Sequence, residues 1–487
     1  MRLASLSWCV VAAALLSASS QVVGSDIEEP AALVQAAIDR NLELGKLHRQ
    51  SCSLRSYRDG PYQYTAFKRA GDGSKRVVGL CLVVEEDLGC GCCYAPVTAR
   101  YTEDDIRQVG HLHNLEELYL DYSRFPPTAS RHLASLNNLK RLSLEGSDVG
   151  DGVLDTISSL GSLEELVLSH TGVTDRGLER LSRLSRLTKL DVSIGQASGR
   201  SIETLLRACP LRQAYIYRSS QQEPPAVDAG PAEPVRVCDS DSLETLTLGG
   251  QVTTTYVLAG VPALRTLYLM NPGGLQITHA PLLSNVTLRG TLTAAQMEAL
   301  AGLPNLTSLT LYVGPGSDAN ALAAVSDLEN LSSLGVYALG VDGRYVSALS
   351  PPKRLNTLQV SGSDYSPALV EGWLEAAPDL EKLTVRGATG DPGAKVRIAE
   401  KYRLKSLAFQ FLHAAELELS SLGGLGVVSL DYRCRIDRLV LRDLDALPVG
   451  TVRGLVERAG TRPNRDFGEI DIRGLGLFPS GGKAGGR

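Results

Sequence analysis

The stretch Leu139-Lys-Arg-Leu-Ser-Leu144 is followed 24 residues later by Leu163-Glu-Glu-Leu-Val-Leu168, and after 24 more by Leu187-Thr-Lys-Leu-Asp-Val192. Each segment has apolar residues at its first, fourth and sixth positions. The apolar-polar-apolar end of the segment is typical of a short strand with one buried face. Between the first two segments, Leu154 and Ile157 stand three residues apart, which is the spacing of one helix face. Each period therefore predicts a strand, a turn, a helix and a return.

The same apolar triplet recurs along most of the chain. Its copies begin at Leu115, Leu139, Leu163, Leu187, Leu211, Leu243, Leu264, Leu283, Leu306, Leu331, Leu355, Leu380 and Leu404. A weaker copy, Val77/Leu80/Leu82, precedes them. One such unit cannot bury its own leucines, so the units are expected to stack. The expected fold is an α/β solenoid with a parallel inner sheet and outer helices.

This LxxLxL pattern, with segments such as Thr171-Gly-Val-Thr-Asp-Arg-Gly-Leu178 leading into the helix, resembles leucine-rich repeat proteins. Ala208-Cys209-Pro210 resembles the helix end of the ribonuclease-inhibitor-like, cysteine-containing subtype, in the form found in exported bacterial proteins. The resemblance covers residues 77–475 and implies a horseshoe-shaped solenoid. The asparagine that many such repeats place after the strand is variable here, which is a departure from the family pattern.

The regular spacing breaks at three places. Residues 219–240 lengthen one period and are expected to form an exposed proline-rich loop. Around Leu275-Gln-Ile277 the period shortens to 19 residues, so an extended segment is expected in place of a helix. Beyond residue 404 the triplets come only 10–11 residues apart, and alternate strands are expected on the outer face.

A last helix over Val452–Arg458 and a strand over Glu469–Ile472 are expected to close the solenoid. Residues 476–487 are expected to be a disordered tail.

The first residues have the pattern of an export signal. Met1-Arg2 is followed by an apolar run, Leu3–Ala18, and then by small residues, which predicts a signal peptide over residues 1–24. Residues 25–76 are expected to form an N-terminal helical or cap segment. No later stretch is long and apolar enough to span a bilayer. The mature chain is therefore expected to have no membrane span and to be secreted or periplasmic.

Five cysteines lie close together near the start of the repeats, partly in a cysteine-rich insertion at 83–100: Cys52, Cys81, Cys90, Cys92 and Cys93. Solenoid ends expose leucine core and need capping, so a cap held by disulfides is the leading prediction. The alternative is a metal-binding or redox site at Cys90–Cys93 with the solenoid as its scaffold, and free thiols are a third possibility. Cys209 is expected to pack into the core.

No catalytic or cofactor motif is recognisable in the sequence, and no metal site or cofactor is assigned. The chain has 49 basic and 54 acidic residues, for a net charge of −5, which argues against a nucleic-acid partner. The acids Glu117, Asp121, Glu145 and Glu165 stand at inner-face positions and leave a hydrolase acting on a surface polymer as a minor hypothesis.

Side chains at the third, fifth and seventh positions of LxxLxLx turn away from the leucine core, because neighbouring strand residues face opposite sides. The tyrosines at these positions are Tyr119, Tyr215, Tyr217, Tyr268, Tyr312 and Tyr337. Tyrosine is enriched at protein interfaces, and it is also simply favoured on strands. The functional hypothesis is an exported, non-catalytic protein that binds a protein or surface polymer through its concave face with these tyrosines.

Overall fold

The computed structural model describes residues 65–69, 75–81, 84–87, 94–97, 99–194, 198–218, 234–338, 344–362, 366–387, 393–399, 403–431, 433–460 and 467–473. The chain forms two compact units, Met1–Gly249 and Gly250–Arg487. The signal peptide predicted at 1–24, the tail predicted at 476–487 and four of the five clustered cysteines lie outside the described residues. Only the backbone of Cys81 is described.

The first unit alternates short strands with helices. Its strands are β1 Thr65–Arg69, β2 Lys75–Cys81, β3 Val84–Asp87, β4 Tyr94–Val97, β5 Ala99–Arg100, β6 Glu117–Tyr119, β7 Ser123–Arg124, β8 Arg141–Ser143, β9 Glu165–Leu168, β10 Lys189–Ile194, β11 Gln213–Arg218 and β12 Val235–Cys238. Its helices are α1 Glu103–Gly110, a 3₁₀ helix at Pro127–Ser135, α2 Asp151–Ile157, α3 Asp175–Leu181 and α4 Gly199–Ala208. A longer strand, β13 Thr245–Ala259, begins in this unit.

The strands of the repeats pair in parallel and in register. β2 pairs with β6 so that Leu80 stands opposite Leu118, which confirms the weak first repeat. From β6 through β8, β9 and β10 to β11 the same register brings the fourth-position residues together. These are Leu118, Leu142, Leu166, Leu190 and Ala214, and each is at most 2% exposed. Burial of each leucine side chain contributes about 1.5–3 kcal/mol of stability.

The helices α2, α3 and α4 are neighbours in the layer beyond the leucines. Successive helices are connected by hydrogen bonds. In each case an aspartate at the first position of one helix binds the backbone just before the next helix. The Asp151 carboxylate accepts a hydrogen bond from the Thr174 backbone N–H at 2.8 Å, and Asp175 accepts one from the Ser198 backbone N–H at 2.8 Å. Each acid thus satisfies a donor at the start of the next helix, which would otherwise lack a partner.

One sequence prediction needs correction in this unit, and only the end of a second predicted segment is described. The loop predicted for 219–240 ends earlier, because its last part forms β12. Val235 and Val237 of this strand are buried, and the strand packs beside α4. Burial of these alternating valines therefore stabilises a strand even though the residues before it are rich in proline. In the segment 25–76, predicted as helical or cap, Thr65–Arg69 is a strand that pairs antiparallel with β2 and covers that edge of the sheet.

The second unit first alternates strands with helices, as the first unit does, and then replaces the helices with further strands. Its further strands are β14 Thr266–Thr278, β15 Asn285–Gly290, β16 Ser308–Val313, β17 Ser333–Tyr337, β18 Thr357–Ser361, β19 Lys382–Arg386, β20 Lys395–Ala399, β21 Ser406–Gln410, β22 His413–Ser420, β23 Val427–Leu430, β24 Arg435–Arg442 and β25 Phe467–Arg473. Its helices are α5 Ala294–Ala301, α6 Ala319–Ala323, a 3₁₀ helix at Ala324–Asp327, α7 Arg344–Ser347, α8 Pro367–Ala376 and α9 Val449–Gly460. The single long strand β14 confirms the extended segment predicted around residue 276.

The main sheet of this unit runs in parallel from β14 through β19 to β21 and β23. The strands between the last members, β20, β22 and β24, join β25 in a separate four-stranded parallel sheet. The alternation predicted beyond residue 404 is thus confirmed. β20 packs beside α8, and the Glu371 carboxylate of α8 accepts a hydrogen bond from the Arg397 backbone at 3.1 Å. The second sheet therefore takes over the layer that helices form in earlier repeats.

Side chains of alternating charge cover one face of this second sheet. Glu416 pairs with Arg438 at 3.2 Å, and Glu418 pairs with Arg442 at 3.5 Å. Asp471 lies 3.3 Å from Arg442 and 3.7 Å from Arg438. The three carboxylates are only 13–20% exposed, so they depend on these arginines for the interactions that water would otherwise supply.

The helices in the described parts of the chain are all too short or too polar to cross a membrane.

Candidate functional site

The candidate site is the face of the parallel sheet that lies opposite the leucines, which we call the open face. Its side chains come from the third, fifth and seventh positions of each repeat, as predicted. In β16, for example, Leu309 and Leu311 are fully buried, and Tyr312, the next residue of the same strand, is 37% exposed. The two units differ sharply in what they place on this face.

In the first unit the open face is charged, and its charges pair with one another. Arg141 on β8 forms an ion pair with Glu117 on β6, and Lys189 on β10 pairs with Glu165 on β9 at 3.5 Å. Asp121 accepts a hydrogen bond from the Glu145 backbone at 2.9 Å, and the Glu145 carboxylate accepts one from the Tyr122 hydroxyl at 3.4 Å. The acids proposed for a hydrolase are therefore engaged with their neighbours on the sheet.

A buried carboxylate on this face, that of Asp191, binds side chains of the two neighbouring strands. Asp191 has no exposed surface, and its Oδ1 accepts hydrogen bonds from Ser169 and, at 3.0 Å, from the Tyr217 hydroxyl. The same hydroxyl lies 2.8 Å from Ser169 Oγ. Tyr217 thereby connects three strands. Its hydroxyl is bound to Asp191 and Ser169 within the protein.

The other two tyrosines of this unit lie far from each other. The register of β6 to β11 places Tyr119 and Tyr215 in one row, four strand spacings apart, or roughly 19 Å at about 4.8 Å per spacing. Both are half-buried. The tyrosines predicted for this unit do not form a continuous cluster.

The open face of the second unit carries no acid across seven adjacent strands. Its residues on β14 to β19 and β21 are Thr266, Tyr268, Met270, Asn285, Thr287, Arg289, Ser308, Thr310, Tyr312, Ser333, Gly335, Tyr337, Thr357, Gln359, Ser361, Lys382, Thr384, Arg386, Ser406, Ala408 and Gln410. Hydroxyl and amide groups alternate with tyrosines, and the three charged groups are all positive.

One row on this face brings an arginine and two predicted tyrosines together. Strand register aligns Met270, Arg289, Tyr312 and Tyr337 at the seventh position of four adjacent repeats. The rings of Tyr312 and Tyr337 stack with centroids 4.8 Å apart and planes at 14°. The Arg289 guanidinium lies 5.9 Å from the Tyr312 ring centroid, within the range of a cation–π contact. With Tyr268 on β14, these residues form what we call the tyrosine–arginine patch.

Gly335 lies close to the Tyr337 ring of the patch. A Cβ at this position would lie 3.2 Å from Cε2 of Tyr337, so any larger residue would crowd the ring. Glycine allows the Tyr337 ring to lie over the strand and reach Tyr312. Burial, with a smaller contribution from Tyr312, raises the pKa of Tyr337 above its ordinary value, so its hydroxyl stays protonated at neutral pH.

Sequence reasoning found the three tyrosines of this unit and missed two of their partners. Arg289 stands at the seventh position of the repeat that begins at Leu283, so extending the position rule to that repeat would have found it. Gly335 carries no signal of this kind, because its role depends on the ring that lies above it.

No set of three or more His, Cys, Asp or Glu side chains in the described residues is arranged to hold a metal ion. The clustered cysteines Cys90, Cys92 and Cys93 lie outside the described residues, so both the disulfide cap and the alternative metal or redox site stay predictions. Among the cysteines whose side chains are described, Cys209 and Cys238 are free thiols, and the Cys434 Sγ donates a hydrogen bond to the Phe409 carbonyl at 3.4 Å.

Cys209 should resist alkylation in the native protein. It is 3% exposed, as predicted, and burial raises the pKa of its thiol from 9.0 to about 11. The thiolate fraction at pH 8 is then about a hundredfold lower than for an ordinary thiol. Mass spectrometry after iodoacetamide treatment should find Cys238, which is half-buried, modified well before Cys209. Equal labelling of the two in native protein would contradict the buried position, and both should react after unfolding in urea.

No family model and no curated protein matches the chain. Among solved structures it is similar to TLR13 in complex with the RNA ssRNA13, at 16% identity and a TM-score of 0.32, over 75% of this chain and 60% of that one. It is also similar to an internalin, InlF, from Listeria monocytogenes, at 14% identity and a TM-score of 0.30, over 70% and 91% of the two chains. A leucine-rich repeat protein from Leptospira interrogans is similar at 16% identity and a TM-score of 0.34, over 77% and 89%.

At these identities the similarity concerns the fold alone, and less than two thirds of TLR13 is covered. The fold class rests on the repeats themselves, with triplet leucines buried in register on parallel strands and helices in the layer beyond. The chain is an α/β leucine-rich repeat solenoid.

Proposed function

We propose that this is an exported, non-catalytic leucine-rich repeat protein that binds a partner protein through the open face of its second unit, centred on the tyrosine–arginine patch. The observation that carries the proposal is the continuous row of Met270, Arg289, Tyr312 and Tyr337 on four adjacent strands. Tyrosine, methionine and arginine are enriched in the cores of protein interfaces, and acids are depleted there. The seven acid-free strands match that composition.

The side chains of the patch are also preorganised for binding. Its side chains stand on hydrogen-bonded strands, and the Tyr312 and Tyr337 rings already support each other. Rigid aromatic anchors lose little conformational entropy when a partner binds. The surrounding serine and threonine hydroxyls supply a polar rim, as in most interfaces.

The proposed export rests on the signal-like sequence at 1–24. Assignment to the ribonuclease-inhibitor-like subtype is supported by the helical outer layer of the first unit and by Cys209, which follows α4 and is buried. A surface polymer is the other partner class that the sequence suggested. The binding roles of Tyr119, Tyr215 and Tyr217 stay predictions, and the proposal does not depend on them.

Replacing both stacked tyrosines, Tyr312→Ala/Tyr337→Ala, should abolish partner binding. Buried aromatic anchors of interfaces contribute about 2 kcal/mol or more each, so the loss of both should weaken binding by about 4 kcal/mol, or roughly a thousandfold. The mature protein would be immobilised and incubated with extracellular or envelope extract, the recovered proteins identified by mass spectrometry, and their affinities measured by surface plasmon resonance.

The matched control is Tyr215→Ala, which removes a half-buried open-face tyrosine from the first unit. Circular dichroism would confirm that both variants are folded. The control should keep the partners of the parent protein. If the double variant also keeps every partner with unchanged affinity, the patch is not the binding surface.

A further inference from the structure

We propose that the partner surface is an acidic polypeptide segment, whose carboxylates pair with Arg289 and Arg386 on either side of the Tyr312–Tyr337 stack. This inference rests on the proposed function and specifies the chemistry of the partner.

The charge pattern of the two open faces supports an acidic partner. In the first unit the basic side chains Arg141 and Lys189 both pair with carboxylates of the adjacent strand. In the second unit Arg289 and Arg386 are exposed, and within the described residues their guanidinium groups make only ring contacts, with Tyr312 and Phe411. The acid-free part of the surface ends at β21, because β23 places Asp431 at the end of the same row, where its carboxylate accepts a hydrogen bond from the Arg433 backbone at 2.8 Å. Two arginines on seven strands without an acid produce a positive potential that attracts carboxylates and repels basic partners.

Both arginines are held in a way that suits carboxylate binding. Arg289 lies over the Tyr312 ring, and Arg386 lies 5.6 Å from the centroid of Phe411. Guanidinium groups that stack on aromatic rings lose less freedom when they bind, and their planar fork of donors fits a carboxylate.

The spacing of the arginines defines the length of the segment. Arg289 and Arg386 share the seventh-position row on β15 and β19, with Tyr312, Tyr337 and Ser361 between them. Four strand spacings make roughly 19 Å, which about six extended residues span. Ser361 is fully buried, so the groups that a bound segment meets between the arginines are the stacked tyrosines.

A polypeptide fits this surface better than another polyanion does. A nucleic acid or a sulfated polysaccharide presents closely spaced charges and is normally met by a dense stripe of basic residues. Here three positive side chains are spread over seven strands. The stacked rings of Tyr312 and Tyr337 lie between Arg289 and Arg386, and Met270 lies beyond Arg289. That mixture suits a chain in which acidic residues alternate with apolar ones.

The test uses a fluorescein-labelled random copolymer of glutamate and tyrosine, with polylysine and heparin as comparison probes. Binding to the full mature chain would be followed by fluorescence anisotropy. The parent should bind the copolymer, bind polylysine not at all and heparin more weakly, and lose affinity when the salt concentration is raised. Arg289→Gln/Arg386→Gln should raise the copolymer half-saturation concentration about tenfold.

The matched control is Arg265→Gln/Arg354→Gln, which removes the same charge from exposed arginines of the same unit that stand outside the open-face positions. Its affinity should stay within about twofold of the parent value, as expected for screened charges outside the contact.

Three results would overturn the inference: no copolymer binding by the parent, equal binding by the Arg289→Gln/Arg386→Gln variant, or tighter binding of heparin than of the copolymer. These failures are distinct from failure of the proposed function. If partners from the extract still require Tyr312 and Tyr337 but tolerate loss of both arginines, the binding surface stands and only its acidic specificity is wrong.

Discussion

Leu166→Ala is expected to lower the free energy of unfolding by about 2–5 kcal/mol. Leu166 has no exposed surface, and Leu142 and Leu190 flank it on the adjacent strands at the same height of the repeat. Strand pairing fixes both neighbours, so they cannot move to fill the cavity. Urea unfolding followed by circular dichroism would measure the loss as a shift of the midpoint.

Val167→Ala is the matched control, because Val167 is the next residue of the same strand and its half-buried side chain lies on the open face. It should cost less than about 1 kcal/mol. Comparable losses for the two variants would contradict the assignment of leucine core and open face.

Glu418→Gln is expected to lower the free energy of unfolding by about 2–3 kcal/mol, somewhat less than the roughly 3–5 kcal/mol for breaking a fully buried ion pair. The Glu418 carboxylate is 15% exposed and lies 3.4 Å from Arg397 and 3.5 Å from Arg442. Glutamine keeps the shape and removes the charge, so the arginines lose a partner while they remain partly shielded from water.

Two further variants isolate the effect of pairing at Glu418. Glu375→Gln, at an exposed position of α8, should change the stability by no more than about 0.5 kcal/mol. Glu418→Gln combined with Arg442→Gln should cost less than the sum of the two single changes, because the second removes a group already left without its partner. Strict additivity would show that the two side chains do not interact.

These two variants differ in how far sequence alone anticipates them. The role of Leu166 follows from its place in the LxxLxL triplet. The role of Glu418 does not, because its arginines, Arg397 and Arg442, come from neighbouring strands whose alignment the spacing of 10–11 residues leaves open. The alternation of strands between two sheets was predictable there, but the pairing of charges across them was not.

The candidate site shows the same division. Sequence placed Tyr268, Tyr312 and Tyr337 on the open face, since alternation along a strand is a local property. It gave equal standing to Tyr217, whose hydroxyl is in fact used by Asp191 and Ser169. The position rule, applied only to some repeats, does not reach Arg289. The proline-rich residues before Val235–Cys238 predict a loop there, although the two alternating valines form a buried strand.

The sequence by itself determined that this chain is a leucine-rich repeat solenoid, which residues form its core and which face is left open. A 24-residue period can do this because burial within a repeat depends on short-range spacing. Only the tertiary structure decided which open-face groups meet. The Tyr312–Tyr337 stack and its neighbouring Arg289 come from residues 23 and 25 positions apart along the chain, and contacts at that separation exist only once the strands are paired in register.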